Sequence, residues 1–339
     1  MLLNVLYILI GFVLLVKGGD FLVDGSVAIA RWARLSAMVI GLTVVGFGTS
    51  MPELLVSTQA AWMGSSGIAI GNVVGSNIAN IALILGVTAL ICPLPASRRM
   101  MRVDIPFMLM SLVLFTVAAH FGSIYRWEGI LMVLLLIGFV SWEVRQSRRE
   151  NKAAELTQEE RERLQQVARM EEREQEAALQ KPMALWKAIL LVLVSLVAMV
   201  VGSRLLVYGS TEVAWWLGRL LSVPPFMMER IIGLTIVAVG TSLPELFASV
   251  MAARKGETDM AVGNIIGSVT FNILCVVGVA SAITPIPHAW MGFGPYYALM
   301  LLLGFLLWWF LHTKKELGRW EGVVLFIIYV VFLAWTANF

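Results

Sequence analysis

Two glutamates stand where a bilayer-spanning sequence should have none. Gly48-Thr49-Ser50-Met51-Pro52-Glu53 lies inside one long apolar run, and Gly240-Thr241-Ser242-Leu243-Pro244-Glu245 lies inside another. A carboxylate at membrane depth costs at least ~2.5–3.5 kcal/mol on insertion scales, so such a residue is a functional-site candidate with a partner. Each glutamate follows a proline, which has no N–H and crowds the carbonyl four residues back. Pro52 thereby frees the Gly48 carbonyl, and Pro244 frees that of Gly240. Freed backbone at that depth persists only where it is buried in protein or lines a wet cavity. Carbonyls, the hydroxyls of Thr49, Ser50, Thr241 and Ser242, and one carboxylate per copy make an all-oxygen environment. Such surroundings suit hard cations such as Na+ and Ca2+ rather than zinc or copper.

Further polar residues line up with these. Asn72, Ser76 and Asn80 are spaced four apart, which puts them along one helix face, and Asn264, Ser268 and Asn272 repeat the pattern. One such residue alone reads as glue between helices. Six at matched positions beside two buried glutamates read as ion ligands, with Asn72 and Asn264 keeping the largest structural share. Two ionised glutamates supply a charge of −2, which one Ca2+ neutralises or several Na+ replace. With no cation present, two close carboxylates repel and one takes up a proton. Occupancy is therefore favoured over emptiness, a physical reason to exchange ions rather than leak them.

The elements that position these residues are apolar helices. The 339 residues are 59% hydrophobic, against about 45–50% in soluble domains. Apolar windows predict an all-α polytopic membrane protein with ten transmembrane helices, near 3–30, 36–62, 67–92, 103–121, 127–144, 184–216, 228–252, 259–284, 296–312 and 319–337. The first run, Leu2–Val16, reads as a retained helix rather than a cleaved signal. Residues 1–144 form a first five-helix unit, 145–183 a charged loop and 184–339 a second five-helix unit. The loop is rich in Glu, Arg and Gln, and reads as a solvated helix or linker. Its acidic stretch Glu171–Glu176 is interspersed with Arg169 and Arg173, which favours charge pairing on a helix surface over ion binding. Cys92 and Cys275 sit in or beside apolar runs and read as small packing residues. His120, His288 and His312 fall at span ends. Asp20, Asp24, Lys17, Arg204 and Glu212 lie on the first and sixth helices, where they either pair near the interface or flank the ion path.

Short loops on one side carry Arg31, Arg34, Arg98, Arg99, Arg102, Arg254, Lys255, Lys314, Lys315 and Arg319. Loops on the other side carry Arg126, Arg219 and Arg230. By the positive-inside rule the central loop is cytoplasmic and both termini lie outside, in a cell (inner) membrane.

The chain also repeats itself. An offset of 192 maps sixteen residues onto identical partners, from Gly41 on Gly233 to Pro95 on Pro287, and includes both glutamates, Ser57 with Ser249, and both Asn-Ser-Asn stripes. Upstream, Gly18, Gly25 and Ser26 match Gly202, Gly209 and Ser210 at an offset of 184, so an insertion falls near Pro224–Met228. A repeat of five spans enters the membrane from opposite faces in its two copies. The expectation is a pair of inverted repeats with the site near the midplane where they meet.

The doubled motifs GTSMPE and GTSLPE, GNVVGSNIAN and GNIIGSVTFN resemble the calcium/cation antiporter superfamily, specifically its prokaryotic sodium/calcium exchanger branch. The resemblance covers nearly all of the membrane part. It implies alternating access, with Na+ and Ca2+ as transported ions competing for one cluster and no cofactor. By motif position, Glu53 and Glu245 would hold Ca2+, and the Thr49 and Thr241 carbonyls would complete its shell. Ser50, Ser76, Ser242 and Ser268 would line flanking Na+ sites, and Asn80 and Asn272 would face the centre. The first and sixth helices would slide as the gate. Two departures stand out: Asn272 replaces the aspartate of some relatives, including potassium-dependent ones, and Val269 stands where the first copy has Asn77. Proton-coupled relatives carry an asparagine-glycine pair in place of Thr-Ser, which favours Na+ here. An H+/Ca2+ or other cation/divalent exchanger is the alternative, and a passive channel would use the same residues. An intramembrane enzyme would need a nucleophile and base, or an aspartate pair, at mid-depth. Nothing points to nucleic acid, and the lipid bilayer is the expected surroundings.

Overall fold

The computed structural model describes residues 2–166, 183–221, 238–287 and 292–337, and every long element in them is helical. The first half runs through α1 (Leu2–Ala33), α2 (Ala37–Thr49), α3 (Met51–Trp62), α4 (Ser66–Ile91), α5 (Met100–His120) and α6 (Arg126–Gln166). The second supplies α7 (Leu185–Leu220), α8 (Leu243–Arg254), α9 (Thr258–Ile283), α10 (Gly294–Lys314) and α11 (Arg319–Ala337). Among the described residues eight helices are long and apolar enough to cross a bilayer, and α2 with α3 makes a ninth if the bent pair is one span. The span expected at 228–252 is described only from a short turn at Ala238–Gly240 through α8. Gly233, Thr235, Arg230, the Pro224–Met228 insertion, Arg169, the Glu171–Glu176 stretch with Arg173, His288 and Trp290 lie outside the described residues.

One element differs from expectation, and another settles an open reading. The span at 36–62 is not one rod. It bends by 47° between α2 and α3, at Ser50, two residues before Pro52 removes a backbone donor. Of the two readings of the charged stretch after 144, solvated helix or linker, the described part takes the helix, and the fifth helix continues through Gln166. Glu, Arg, Gln and Lys propagate a helix well in water even after the apolar run has ended.

Burial sorts the helices into a centre and a periphery. In α4 and α9, 72% and 83% of the apolar window is buried, against 22% and 28% in α1 and α7. Each central helix also widens into a π turn, at Ala79–Ile84 in α4 and at Asn272–Val277 in α9. Such turns concentrate at functional sites because they re-aim side chains within a helix. α2 crosses α9 closely enough that a Cβ on Gly263 would stand 2.6 Å from the Met38 carbonyl. α1 and α7 pack along each other, and a Cβ on Gly11 would lie 2.6 Å from the Gly202 carbonyl.

Two small joints tie the halves together. β1 (Leu94–Pro95) pairs antiparallel with β2 (Glu316–Leu317), matching Leu94 with Leu317. An isolated antiparallel bridge joins Ile124 to Ile286. Ile286 is the repeat image of Leu94, and the stretch before α6 that holds Ile124 corresponds to the β2 stretch before α11. The 21 residues of α5 separate Leu94 from Ile124, about 30 Å at helical rise, so the joints lie at opposite ends of the bundle.

Candidate functional site

The break at Ser50 creates a helix start inside the membrane part. Glu53 sits in the first turn of α3, and Glu245 holds the same place in α8 after Ser242 and Pro244. A helix start concentrates unpaired N–H groups and the positive end of the dipole, which favours a carboxylate there. Both are deeply buried, Glu53 at 0% and Glu245 at 1% exposure. The carbonyl that Pro244 frees has a specific partner: Ser203 on α7 donates its hydroxyl to the Gly240 oxygen at 2.5 Å.

A hydrogen-bond clamp holds each glutamate, and it occurs twice. Asn72 on α4 donates its side-chain amide to the Glu53 carbonyl at 3.3 Å and to Ser57 Oγ at 2.9 Å. Asn264 on α9 does the same to the Glu245 carbonyl at 3.3 Å and to Ser249 Oγ at 2.8 Å. Ser57 and Ser249 donate their own hydroxyls in hydrogen bonds to the Ala69 and Ala261 carbonyls. All of these positions correspond at the offset of 192. The structural share expected of Asn72 and Asn264 is thus a specific job, fixing the backbone that carries each carboxylate.

Other contacts cross between the halves. Ser50 donates to Glu245 Oε1 at 3.3 Å, and Thr49 Oγ1 to Asn264 Oδ1 at 3.3 Å. Ser268 Oγ lies 3.5 Å from Thr49 Oγ1 and donates to the Gly46 carbonyl at 3.4 Å. Asn272 donates to Asn77 Oδ1 at 3.2 Å. α3 packs on the π turn that begins at Asn272, and α8 packs on the π turn that holds Asn80. Ser76 and Asn80 are buried on α4, at 4% and 1% exposure. Thr241 is half-buried and lines a neighbouring pocket.

What remains is a set of buried oxygens with no donor. Both carboxylate oxygens of Glu53, Oε2 of Glu245, Oδ1 of Asn80, Oδ1 of Asn272 and Oγ of Ser242 have no hydrogen-bond partner among the described residues. Leaving a buried polar group unmade costs about 1–3 kcal/mol, more for a charged one. Carboxylate, amide and hydroxyl oxygens without N or S ligands are the donor set of a hard cation. Among the described residues no group of three or more His, Cys, Asp or Glu side chains forms a metal site, so this chemistry rests on two carboxylates and neutral oxygens.

A pocket of ≈ 470 Å³ reaches the site from one side. Pro52 and Gln59 of α3, Arg204 and Tyr208 of α7, and Thr241 and Pro244 at the start of α8 line it. Tyr208 meets Tyr7 near the start of α1, with ring centroids 5.8 Å apart, which places the pocket toward that end of the bundle.

Sequence reasoning missed Asn77, read only as a polar residue that Val269 lacks, yet it holds Asn272. It also left Ser57 and Ser249 without a role, although their identity across the repeat was the available signal.

The comparisons with known proteins agree. The model of the sodium/calcium exchanger protein family matches residues 3–144 and 187–337. The sodium/calcium exchanger MaX1 of Methanosarcina acetivorans is 37% identical over 97% of both chains, and the putative antiporter CaxA of Alkalimonas amylolytica is 35% identical over 97% of both. The structure of the sodium-calcium exchanger NCX_Mj soaked with zero Na+ and Ca2+ superposes with a TM-score of 0.78 at 29% identity, covering 98% of each chain. With two buried glutamates on broken, duplicated helices and a family match across nearly all of its spans, the chain belongs to the sodium/calcium exchanger protein family.

Proposed function

We propose that this protein is a sodium/calcium antiporter that moves Ca2+ across the membrane against Na+ by alternating access, with the ions sharing a site built on Glu53 and Glu245. The observation that carries this reading is the cluster of unpartnered buried oxygens from Glu53, Glu245, Asn80, Asn272 and Ser242. Ca2+ takes six to eight oxygens and tolerates irregular geometry, as such a cluster offers. In this reading the Thr49 and Thr241 carbonyls complete the Ca2+ shell. Ser50, Ser76, Ser242 and Ser268 serve flanking Na+ sites.

The architecture is ten helices in two inverted repeats, residues 1–144 and 184–339, joined by a cytoplasmic segment at 145–183. The duplicated clamps at Asn72 and Asn264, and the image-related joints at opposite ends of the bundle, support that symmetry. The excess of Lys and Arg in alternate loops supports outside termini. Alternating access is supported by a pocket that reaches Thr241 and Pro244 and is lined by α7 residues from the part of that helix beside the start of α1.

The test uses purified protein in Na+-loaded vesicles diluted into Na+-free medium with radiolabelled Ca2+. Uptake is expected to need the outward Na+ gradient and to vanish in Glu53→Gln and Glu245→Gln. Uptake indifferent to Na+ but driven by a pH gradient would replace this reading with proton-coupled exchange. No Ca2+ movement under either gradient would sink the calcium assignment.

A further inference from the structure

α1 and α7 are lightly buried, as are α6 and α11, and α1 and α7 face each other closely through Gly11 and Gly202. In the alternating-access reading they move as a unit against the remaining helices. What fastens such a unit matters for any protein that alternates, and one fastening is ionic. Lys255, at the turn between α8 and α9, reaches α1 with its whole ammonium group. Nζ lies 2.7 Å from Asp20 Oδ1, 2.7 Å from Asp24 Oδ1 and 2.8 Å from the Asp20 carbonyl. An ammonium has three donors, and three acceptors on one turn of α1 take them. Asp20 and Asp24 are four residues apart, hence on one helix face. Beside them a Cβ on Gly19 would meet the Phe247 carbonyl of α8 at 3.0 Å, so helix and turn are in contact there.

The repeat has no second copy of this contact. Asp20 and Asp24 correspond to Arg204 and Tyr208, and Lys255 corresponds to Met63. The backbone turn itself is duplicated, since Gly64 and Gly256 both hold φ in the left-handed region, at 74° and 80°. Only the charges differ. Arg204 and Tyr208 line the pocket that reaches Thr241. The pocket lies toward the start of α1, where Tyr208 meets Tyr7, whereas Asp20 and Asp24 lie in its later half. Pocket and ionic contact thus lie toward opposite ends of α1.

We propose that Lys255 with Asp20 and Asp24 is an ionic latch that holds the α1–α7 unit shut at the end away from the pocket and sets the resting balance between the two access states. This rests on the alternating-access reading above. The latch is half-exposed, with the side chains of Lys255, Asp20 and Asp24 at 28%, 35% and 51% exposure. Burial pulls the Lys255 ammonium down and the two carboxylates more than offset it, so the lysine stays charged across the physiological range. Because water reaches the pairs, salt weakens them.

The test reads pocket exposure directly. In full-length purified protein with Cys92 and Cys275 replaced by Ala, Gln59→Cys places a reporter thiol in the pocket, and its labelling rate by a bulky polar maleimide is measured. Lys255→Met is expected to slow labelling about three- to tenfold, as the pocket-open state loses its latch. Lys255→Arg should keep the parent rate, and raised ionic strength should slow the parent toward the Lys255→Met rate while leaving the latter unchanged. Equal rates in the parent and Lys255→Met, or the same salt response in both, overturn the latch. The exchanger reading is tested separately by Ca2+ uptake, and its failure would leave the labelling comparison readable on its own.

Discussion

Ser50 and Ser242 hold the same place in the two halves, immediately ahead of a proline-started helix with a glutamate in its first turn, and their hydroxyls end differently. Ser50 crosses to Glu245 and donates at 3.3 Å, while Ser242 has no partner among the described residues. The same imbalance runs through the site. Thr49 meets Asn264 and Ser268 of the other half. Glu245 receives a donor, and both oxygens of Glu53 go without. Duplication supplies two equal frames, the Asn–Ser clamps, and the residues hung on those frames have diverged in their contacts. Glu245 is held by protein, and Glu53 depends on what binds.

The sharpest way to break this contrast is at the carboxylates. Replacing either by Gln should cost Ca2+ exchange about 100-fold or more, since a buried charge loses its counter-ion partner. The two should part in ion-free melting: Glu53→Gln should raise the melting temperature more than Glu245→Gln, because it removes the carboxylate that has no donor. Equal shifts would contradict the asymmetry. Next comes the serine pair. A hydrogen bond to a charged group contributes about 1.5–3 kcal/mol, so Ser50→Ala should weaken Ca2+ affinity by roughly ten- to a hundredfold. Ser242→Ala removes an unpartnered hydroxyl, so it should raise ion-free stability by up to about 1–3 kcal/mol and weaken Na+ binding more than Ca2+ binding. Titration calorimetry with each ion separates these outcomes.

Smaller effects belong to the clamps. Asn264→Ala should lower stability by about 1–3 kcal/mol and Asn72→Ala by less, since Asn264 is fully buried and also accepts from Thr49 while Asn72 is half-exposed to its surroundings. Melting curves in detergent give the order, and a reversed order would refute it. The mildest change is Asn77→Val, which makes the first half match Val269. Losing one neutral bond to Asn272 should reduce exchange by about threefold. No change at all would mean that Asn272 does not need holding.

Much of this was legible in the sequence because the bilayer forces it. Apolar windows locate the described spans, and Glu53 and Glu245 announce themselves by charge where charge is costly. The repeat was readable because a shared offset keeps polar identities that hydrophobicity alone would not. The 47° bend at Ser50 and the π turns at Ala79–Ile84 and Asn272–Val277 were not readable, since a local widening of a helix leaves the apolar pattern almost intact. Asn77 escaped for a related reason: spacing placed it off the Asn72–Ser76–Asn80 face, and the π turn that begins two residues later changes where that helix points its side chains. The continuation of α6 to Gln166 was one of two open readings of the charged stretch, because composition separates membrane from water more readily than helix from coil.

The joint between Leu94 and Leu317 has a consequence for how the chain is made. Its two strands come from opposite halves of the sequence, and so do the partners of the Ile124–Ile286 bridge. During synthesis the first five helices reach the bilayer with Leu94 and Ile124 lacking their mates, and with Asn77 lacking Asn272. An early half of the chain therefore sits inserted but unfinished, and its completion waits on translation of the last hundred residues or so, when Glu245, Ile286 and Leu317 arrive in turn. The protein's assembly is thus timed by its C-terminal half, and truncations late in the chain should be cleared by quality control rather than persist as half-sized pores.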